Sequence, residues 1–310
     1  MPFGEISGLA AAATWAIGSL LFARIGRRVS PGAMNLGKCL AAAALLSLVR
    51  LALAPSIGPL HMSVAIGVPL AASGIVGLTI GDTAYFGAIV ALGVPRAILL
   101  LSSAPVFAVL GGVLFLGERV GVREGAGIGL TMAGIALVVA ARSPVALASG
   151  GREKIGSPED RAKIRRGLGL GVIAAMGQAS GNLLARRALT LGIDPLGAAA
   201  SRLVAGAIGL LVVSAALRHA GPWLRELGAD RSWAKVAGAS LIGTFGGIWL
   251  SQLAIANCSS TGVATTLLGT SPIFALPLAH FAGHERITAR GVAGTLVALS
   301  GVVVLSLRGG

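Results

Sequence analysis

Apolar residues run along this chain in ten long stretches, parted by short polar or glycine- and proline-bearing breaks. A helix needs about 20 residues to cross roughly 30 Å of hydrocarbon. Stretches of that order lie near 4–23, 34–54, 63–91, 96–116 and 123–142, then 167–187, 196–217, 234–257, 262–282 and 287–307. The pattern predicts an all-α membrane protein of ten transmembrane helices. The third stretch is long enough to tilt. Gly93-Val94-Pro95 separates it from the fourth, because proline cannot extend a helical ladder. The first stretch begins almost at once, and we expect it to be retained as the first span.

The stretches fall into two sets of five that share a register. Pro105-Val106-Phe107 is followed by Glu118-Arg119, and Pro272-Ile273-Phe274 is followed at the same spacing by Glu285-Arg286. Arg123 then matches Arg290, Gly127 matches Gly294 and Gly134 matches Gly301. Five is odd, so a second copy enters the membrane from the opposite face. Two inverted five-helix repeats follow, with a pseudo-twofold axis in the membrane plane and a site near the midplane. The repeats are expected over 1–142 and 167–310. The stretch 143–166 carries Ser-Pro, Gly-Gly and mixed charges, so it reads as an aqueous linker with a short helix after Ser157-Pro158.

Composition supports the bilayer as solvent. Of 310 residues, 55% are hydrophobic and 12% charged, and the mean hydropathy is +0.87; a soluble domain cannot hide so much apolar surface. The 47 glycines suit helices that approach closely in lipid. The net charge of +14 sits in short loops, where it sets topology, and Tyr85 is the one tyrosine, so nucleic acid is not an expected partner. Basic residues such as Arg24, Arg27, Arg28, Lys154, Arg165, Arg225 and Arg231 favour one side of the membrane as cytoplasmic, with both termini outside. Cys39 lies within one apolar run and Cys258 at the end of another, which does not suggest a disulfide. His280 and His284 have the spacing of two metal ligands but no third ligand nearby in sequence. No cofactor fingerprint is legible, and neither metal nor cofactor is expected.

The doubled pattern, Pro105-Val106-Phe107 through Leu116-Gly117-Glu118-Arg119 and Ser271-Pro272-Ile273-Phe274 through Gly283-His284-Glu285-Arg286, resembles the EamA domain of the drug/metabolite transporter superfamily. The resemblance covers nearly the whole chain. It implies a ten-helix secondary transporter, here of a bacterial inner membrane, and not an enzyme. Its expected partners are a small-molecule substrate, membrane lipids and a coupling proton or other ion. Export of a small metabolite such as an amino acid is expected, by alternating access around a cavity lined by the first, third, fourth, sixth, eighth and ninth spans. A gradient-independent facilitator or a lipid-type flippase is the alternative on the same fold. Many members of this family are drawn with the topology opposite to that of the charge pattern, so orientation stays open. The sequence departs from the family where His284 stands against Gly117, and where Tyr85-Phe86 faces Gln252-Leu253.

Several residues carry candidate chemistry. Pro105 and Pro272 remove a backbone donor inside the fourth and ninth spans, giving either gate hinges or fixed kinks. Glu118-Arg119 and Glu285-Arg286 read as clamps at helix ends, with Arg123 and Arg290 as candidate partners, or as a switching salt bridge. Lys38 and Arg202 occupy matching places in the second and seventh spans; each either holds an anionic substrate group or snorkels to the interface. Asp82 is the most informative acid. Thr79, Asp82 and Tyr85 share a face if the third span is a regular helix. Asp82 then carries a coupling proton, holds a cationic substrate or forms a static pair with Lys38. The second copy places Trp249 opposite Asp82 and Gln252 opposite Tyr85. Trp15 and Ser19 in the first span align with Gln178 and Asn182 in the sixth, and either face a wet cavity or bond neighbouring helices. Ser102 and Thr270 add hydroxyls in the fourth and ninth spans, as cavity groups or as packing groups.

Overall fold

The computed structural model describes residues 3–25, 29–53, 62–92, 94–140, 158–281 and 288–306. Among these every regular element is a helix. They are α1 (Phe3–Ile25), α2 (Pro31–Leu53), α3 (Val64–Leu92), α4 (Val94–Leu101), α5 (Ala104–Leu116) and α6 (Val122–Ala140), then α7 (Pro158–Thr190), α8 (Pro195–Ala216), α9 (Ala220–Gly228), α10 (232–257), α11 (Thr261–Leu268), α12 (Ser271–Phe281) and α13 (Ala289–Ser306). Among the described residues, six helical segments are long and apolar enough to cross a membrane.

Local sequence sets the starts. Asp194 caps α8 by accepting from the Gly197 amide at 2.7 Å, with Pro195 at the first helical position. Ser260 caps α11 by accepting from the Val263 amide at 3.2 Å. Helix α7 begins at Pro158 and runs 33 residues, so residues 158–166, read as linker from their charge, are its first turns. The short helix α9 was not expected. Its Trp223 packs against Gly32, and Leu227 against Gly37, at the start of α2.

Both third spans are irregular at the same place. In α3, Gly74–Gly81 is a π segment, and in α10 Leu241–Gly246 is another. Gly74 matches Leu241 in the register that matches Pro105 to Pro272. Both fourth spans are broken rather than continuous: turns at Ser102-Ser103 and Gly269-Thr270 separate α4 from α5 and α11 from α12. The cause is the proline that follows, which leaves the carbonyls of Leu101 and Leu268 without their usual helical donor.

The repeats exchange their first helices. Helix α1 packs against α10, α11 and α12, while α7 packs against α3, α4 and α5. Helix α2 pairs with α8, and α6 with α13. Close approach requires glycine at the crossings. A Cβ on Gly18 would lie 2.6 Å from the Gly243 Cα, and one on Gly134 would lie 2.2 Å from the Ala298 nitrogen.

Candidate functional site

A cavity of about 360 Å³ lies where the exchanged helices meet. It is lined from α1, α2, α3, the α4–α5 break, α7, α8, α10 and the α11–α12 break. The second and seventh spans therefore join the six expected from the resemblance; α6 and α13 contribute none of the lining. The cavity reaches from mid-bundle to the end where Phe22 closes α1, Pro31 opens α2, Ile89 nears the end of α3 and Ile98 lies near the start of α4.

Its floor is charged. Lys38 Nζ donates to Asp82 Oδ2 in an ion pair whose side chains are 8% and 22% exposed. The ammonium also sits 5.4 Å from the centre of the Phe86 ring, within cation–π range. Beneath the pair lies Asn35, fully buried, whose side-chain amide donates to the Leu78 carbonyl at 3.0 Å and to Thr83 Oγ1 at 3.1 Å. Leu78 belongs to the π segment, where Asp82 N–H bonds back to the Gly77 carbonyl. A carbonyl left over at the return from π to α geometry thus takes a side-chain donor from α2. Asn35 was missed in the sequence; its signal was an amide three residues before Lys38 in an apolar run.

Arg202 enters from α8 and is 2% exposed. Its guanidinium passes between Gly77 of α3 and Gly181 of α7, where a Cβ on either glycine would stand 3.3 Å from Nη2. Nε has no hydrogen-bond partner, while Asp82 acts on the guanidinium electrostatically. The opposite wall carries Trp15 and Ser19 on α1 and Gln178 and Asn182 on α7. Asn182 donates to Thr265 Oγ1 at 3.2 Å, and Ser19 to the Ala16 carbonyl at 2.9 Å. Tyr85, Ser102, Pro105 and Pro272 also line the cavity.

Four singled-out residues lie elsewhere. Thr79 donates to the Gly206 carbonyl of α8 at 3.0 Å. The expectation that it shares a face with Asp82 assumed 3.6 residues per turn; the π segment carries an extra residue in the turn and rotates Thr79 away. The matching π segment sets Trp249 against Phe245, with ring centres 6.3 Å apart, beside the cluster around Leu36 and Leu203. Gln252 is fully buried and donates to Ser251 Oγ at 3.2 Å. The Thr270 hydroxyl turns back onto the Leu267 carbonyl at 2.6 Å. The shared chamber does take Thr244, Ser251 and Thr265, which the sequence did not distinguish from packing hydroxyls.

The other end of the bundle is shut by hydrogen bonds between the repeats. Gly117 ends α5 at φ +65°, a conformation glycine adopts without strain. The chain then turns so that Glu118 lies over Gly112, whose missing side chain leaves it room. Glu118 accepts from the Thr261 amide at 2.9 Å and the Thr261 hydroxyl at 2.5 Å, at the first turn of α11. Arg186 lies 3.9 Å from the same carboxylate and donates to the Ile255 carbonyl. Arg123, one expected partner, instead donates to the Val304 carbonyl at 3.2 Å; Arg290 is exposed. The amide and hydroxyl of Thr261 take this carboxylate because it satisfies a helix-end donor that would otherwise lack a partner. Glu285, Arg286, His284 and the side chain of His280 lie outside the described residues. Among the described residues no group of three metal-ligating side chains gathers, and Cys39 and Cys258 are buried and free.

Comparison with known proteins fits this architecture. No curated protein matches the chain. A crystal structure of a protein 17% identical in sequence superimposes with a TM-score of 0.76, covering 98% of this chain and 96% of that one, which establishes a shared fold. The sodium-calcium exchanger NCX_Mj aligns at 18% identity over 99% of this chain and 97% of its own, but with a TM-score of 0.20, at which the two folds do not coincide. The model of the EamA-like transporter family matches residues 2–140 and again 165–307. With both repeats matched, the chain belongs to the EamA-like transporter family of membrane proteins.

Proposed function

We propose that this chain is a secondary transporter of ten spans in two inverted five-helix repeats, 1–142 and 167–310, that moves a small metabolite such as an amino acid out of a bacterial cell by alternating access at the inner membrane. The cavity carries this reading: both repeats wall one chamber that holds intramembrane charge, and such charge in a membrane protein marks a transport path. Inversion is supported by the packing, since Gly4 near the start of α1 meets Asn257 at the end of α10, and Arg186 near the end of α7 reaches Ile255 beside it. The cavity runs to one end while Glu118, Thr261 and Arg186 bind the repeats at the other. Pro105 and Pro272, at the breaks, serve as the hinges for exchanging these ends. Asp82 carries the coupling proton: protonation removes its charge, frees Lys38 and alters the floor on which substrate sits.

The test is transport by protein reconstituted in liposomes under an imposed proton gradient. Asp82→Asn should abolish gradient-driven accumulation and spare exchange. Unchanged accumulation overturns the coupling role. A facilitator is the second reading, favoured by the Asp82 carboxylate already being paired with Lys38; transport indifferent to the gradient in the wild type would select it.

A further inference from the structure

We infer that the ligand of this cavity is a small organic monoanion, a carboxylate with an apolar body, docked on Arg202. The inference rests on the reading of the cavity as the substrate site and puts a monoanion in place of the zwitterionic amino acid given there as the example. Three charged residues line it among the described residues: Lys38, Asp82 and Arg202. The first two neutralise each other in a direct ion pair. Arg202 remains, 2% exposed, with Nε unpartnered and with no hydrogen bond to any described acceptor. A charge in a membrane interior is answered by a partner charge, by backbone carbonyls or from a cavity, and for Arg202 the cavity is what remains. Asp82 cannot answer it fully, because it is already held by Lys38.

The count selects the ligand's charge. One negative charge brings the chamber to neutrality; a zwitterion leaves it positive, and an amine makes it more so. Geometry selects the group, since the flat guanidinium fork suits a carboxylate with two parallel bonds. Gly77 and Gly181 hold the slot open on both sides of Nη2, so the arginine has little freedom to leave. The remaining wall is mostly apolar, with Trp15, Phe22, Phe86 and Ile248, and receives a hydrocarbon or aromatic body. The empty site is charged and the loaded site neutral. Closing a charged, dewetting chamber costs more than closing a neutral one, so loading favours the occluded state.

The experiment compares ligands that differ only in charge. Benzoate against benzamide, phenylacetate against phenylacetamide and hexanoate against hexanamide are titrated onto the purified full chain at neutral pH, with thermal unfolding as readout. At least one carboxylate should raise the unfolding temperature at concentrations about tenfold or more below those its amide needs. Arg202→Gln should remove that shift, and Arg202→Lys should weaken it by losing the fork while keeping the charge. The wild-type ligand pairs decide the matter even where a variant fails to fold. Equal effects of acid and amide, no effect of any carboxylate, or amine and zwitterion binding that survives Arg202→Gln each overturn the inference. Liposome transport separates the two readings. Movement of zwitterions without carboxylates refutes the anion dock and leaves the transporter standing. Carboxylate binding with no movement of any compound refutes the transporter and supports the dock.

Discussion

The Lys38–Asp82 pair offers a stability cycle whose asymmetry can be worked out in advance. Asp82→Asn keeps the shape and an acceptor oxygen but leaves the Lys38 cation, 8% exposed, without a countercharge. Removing one member of a buried pair costs about 3–5 kcal/mol. Asp82 is 22% exposed and borders the cavity, so the cost should fall at or just below the lower edge, about 2–3 kcal/mol. Lys38→Met strands the more accessible member. That carboxylate borders the cavity and is the more exposed of the two, so this change should cost less, about 1–2 kcal/mol. With both changes neither member of the pair is left stranded, and the double variant should be more stable than the sum of the single losses by about 1–2 kcal/mol. Unfolding free energies in mixed micelles, measured for all four proteins, check the cycle. Additivity within about 0.5 kcal/mol would mean that the two groups do not depend on each other. A larger loss from Lys38→Met than from Asp82→Asn would mean that the burial argument is reversed.

Three further outcomes follow from the packing. Gly18→Ala and Gly243→Ala strike the same backbone contact from opposite sides, so each should cost about 1–3 kcal/mol of stability; a cost from only one would contradict the crossing. Thr79→Val should cost about 1–2 kcal/mol, because it withdraws the donor from the Gly206 carbonyl, yet leave ligand affinity unmoved; a loss of affinity would place Thr79 back on the cavity face. Cys258 is 3% exposed beside the closed end and serves as a natural probe there. In a Cys39→Ala background, Glu118→Gln should speed maleimide labelling of Cys258 about tenfold or more, since a charge-assisted hydrogen bond of about 1.5–3 kcal/mol holds that end shut; an unchanged rate would show that Glu118 is no latch.

What was legible in the sequence depended on periodicity. Long apolar runs marked the helices long enough to cross a membrane, and the doubled proline and glutamate spacing marked the repeat, because both are properties of neighbouring residues along the chain. Asp82, Lys38 and Arg202 stood out because charge in an apolar run is costly anywhere in a bilayer. Which face each residue presents was less legible. Thr79 and Asp82 are three apart and would be neighbours on an ideal helix, but the π turn at Gly74–Gly81 separates them, and no motif announces a π turn. The role of Asn35 depends on the same irregularity, since Leu78 takes its side-chain donor there. Glu118 was read as a clamp or a switching salt bridge, but its partner Thr261 lies in the other repeat, 143 residues away. That distance is closed only by the exchange of first helices, which no local pattern encodes.

The two copies have stayed alike in their backbone and diverged in their chemistry. Their π segments begin at matched positions, Gly74 and Leu241. Their fourth spans break at matched turns, Ser102-Ser103 and Gly269-Thr270, ahead of matched prolines. Asp82, however, faces Trp249 in the other copy, Asn35 faces Ala199, and the basic residues play unequal parts: Lys38 is in an ion pair, whereas Arg202 has none among the described residues. This division is what alternating access would demand. Rocking one bundle against another moves both halves through the same change, so each needs the same interruptions to absorb it. A ligand has one orientation in the chamber and needs one set of contacts. Symmetric breaks with asymmetric charges therefore favour the proposed chamber, reached from both sides and always presenting the same groups. A variant that moved the charges to the other repeat, Asp82→Trp with Trp249→Asp, should retain the fold elements but lose binding, because Trp249 points into the Leu36 cluster and not into the cavity.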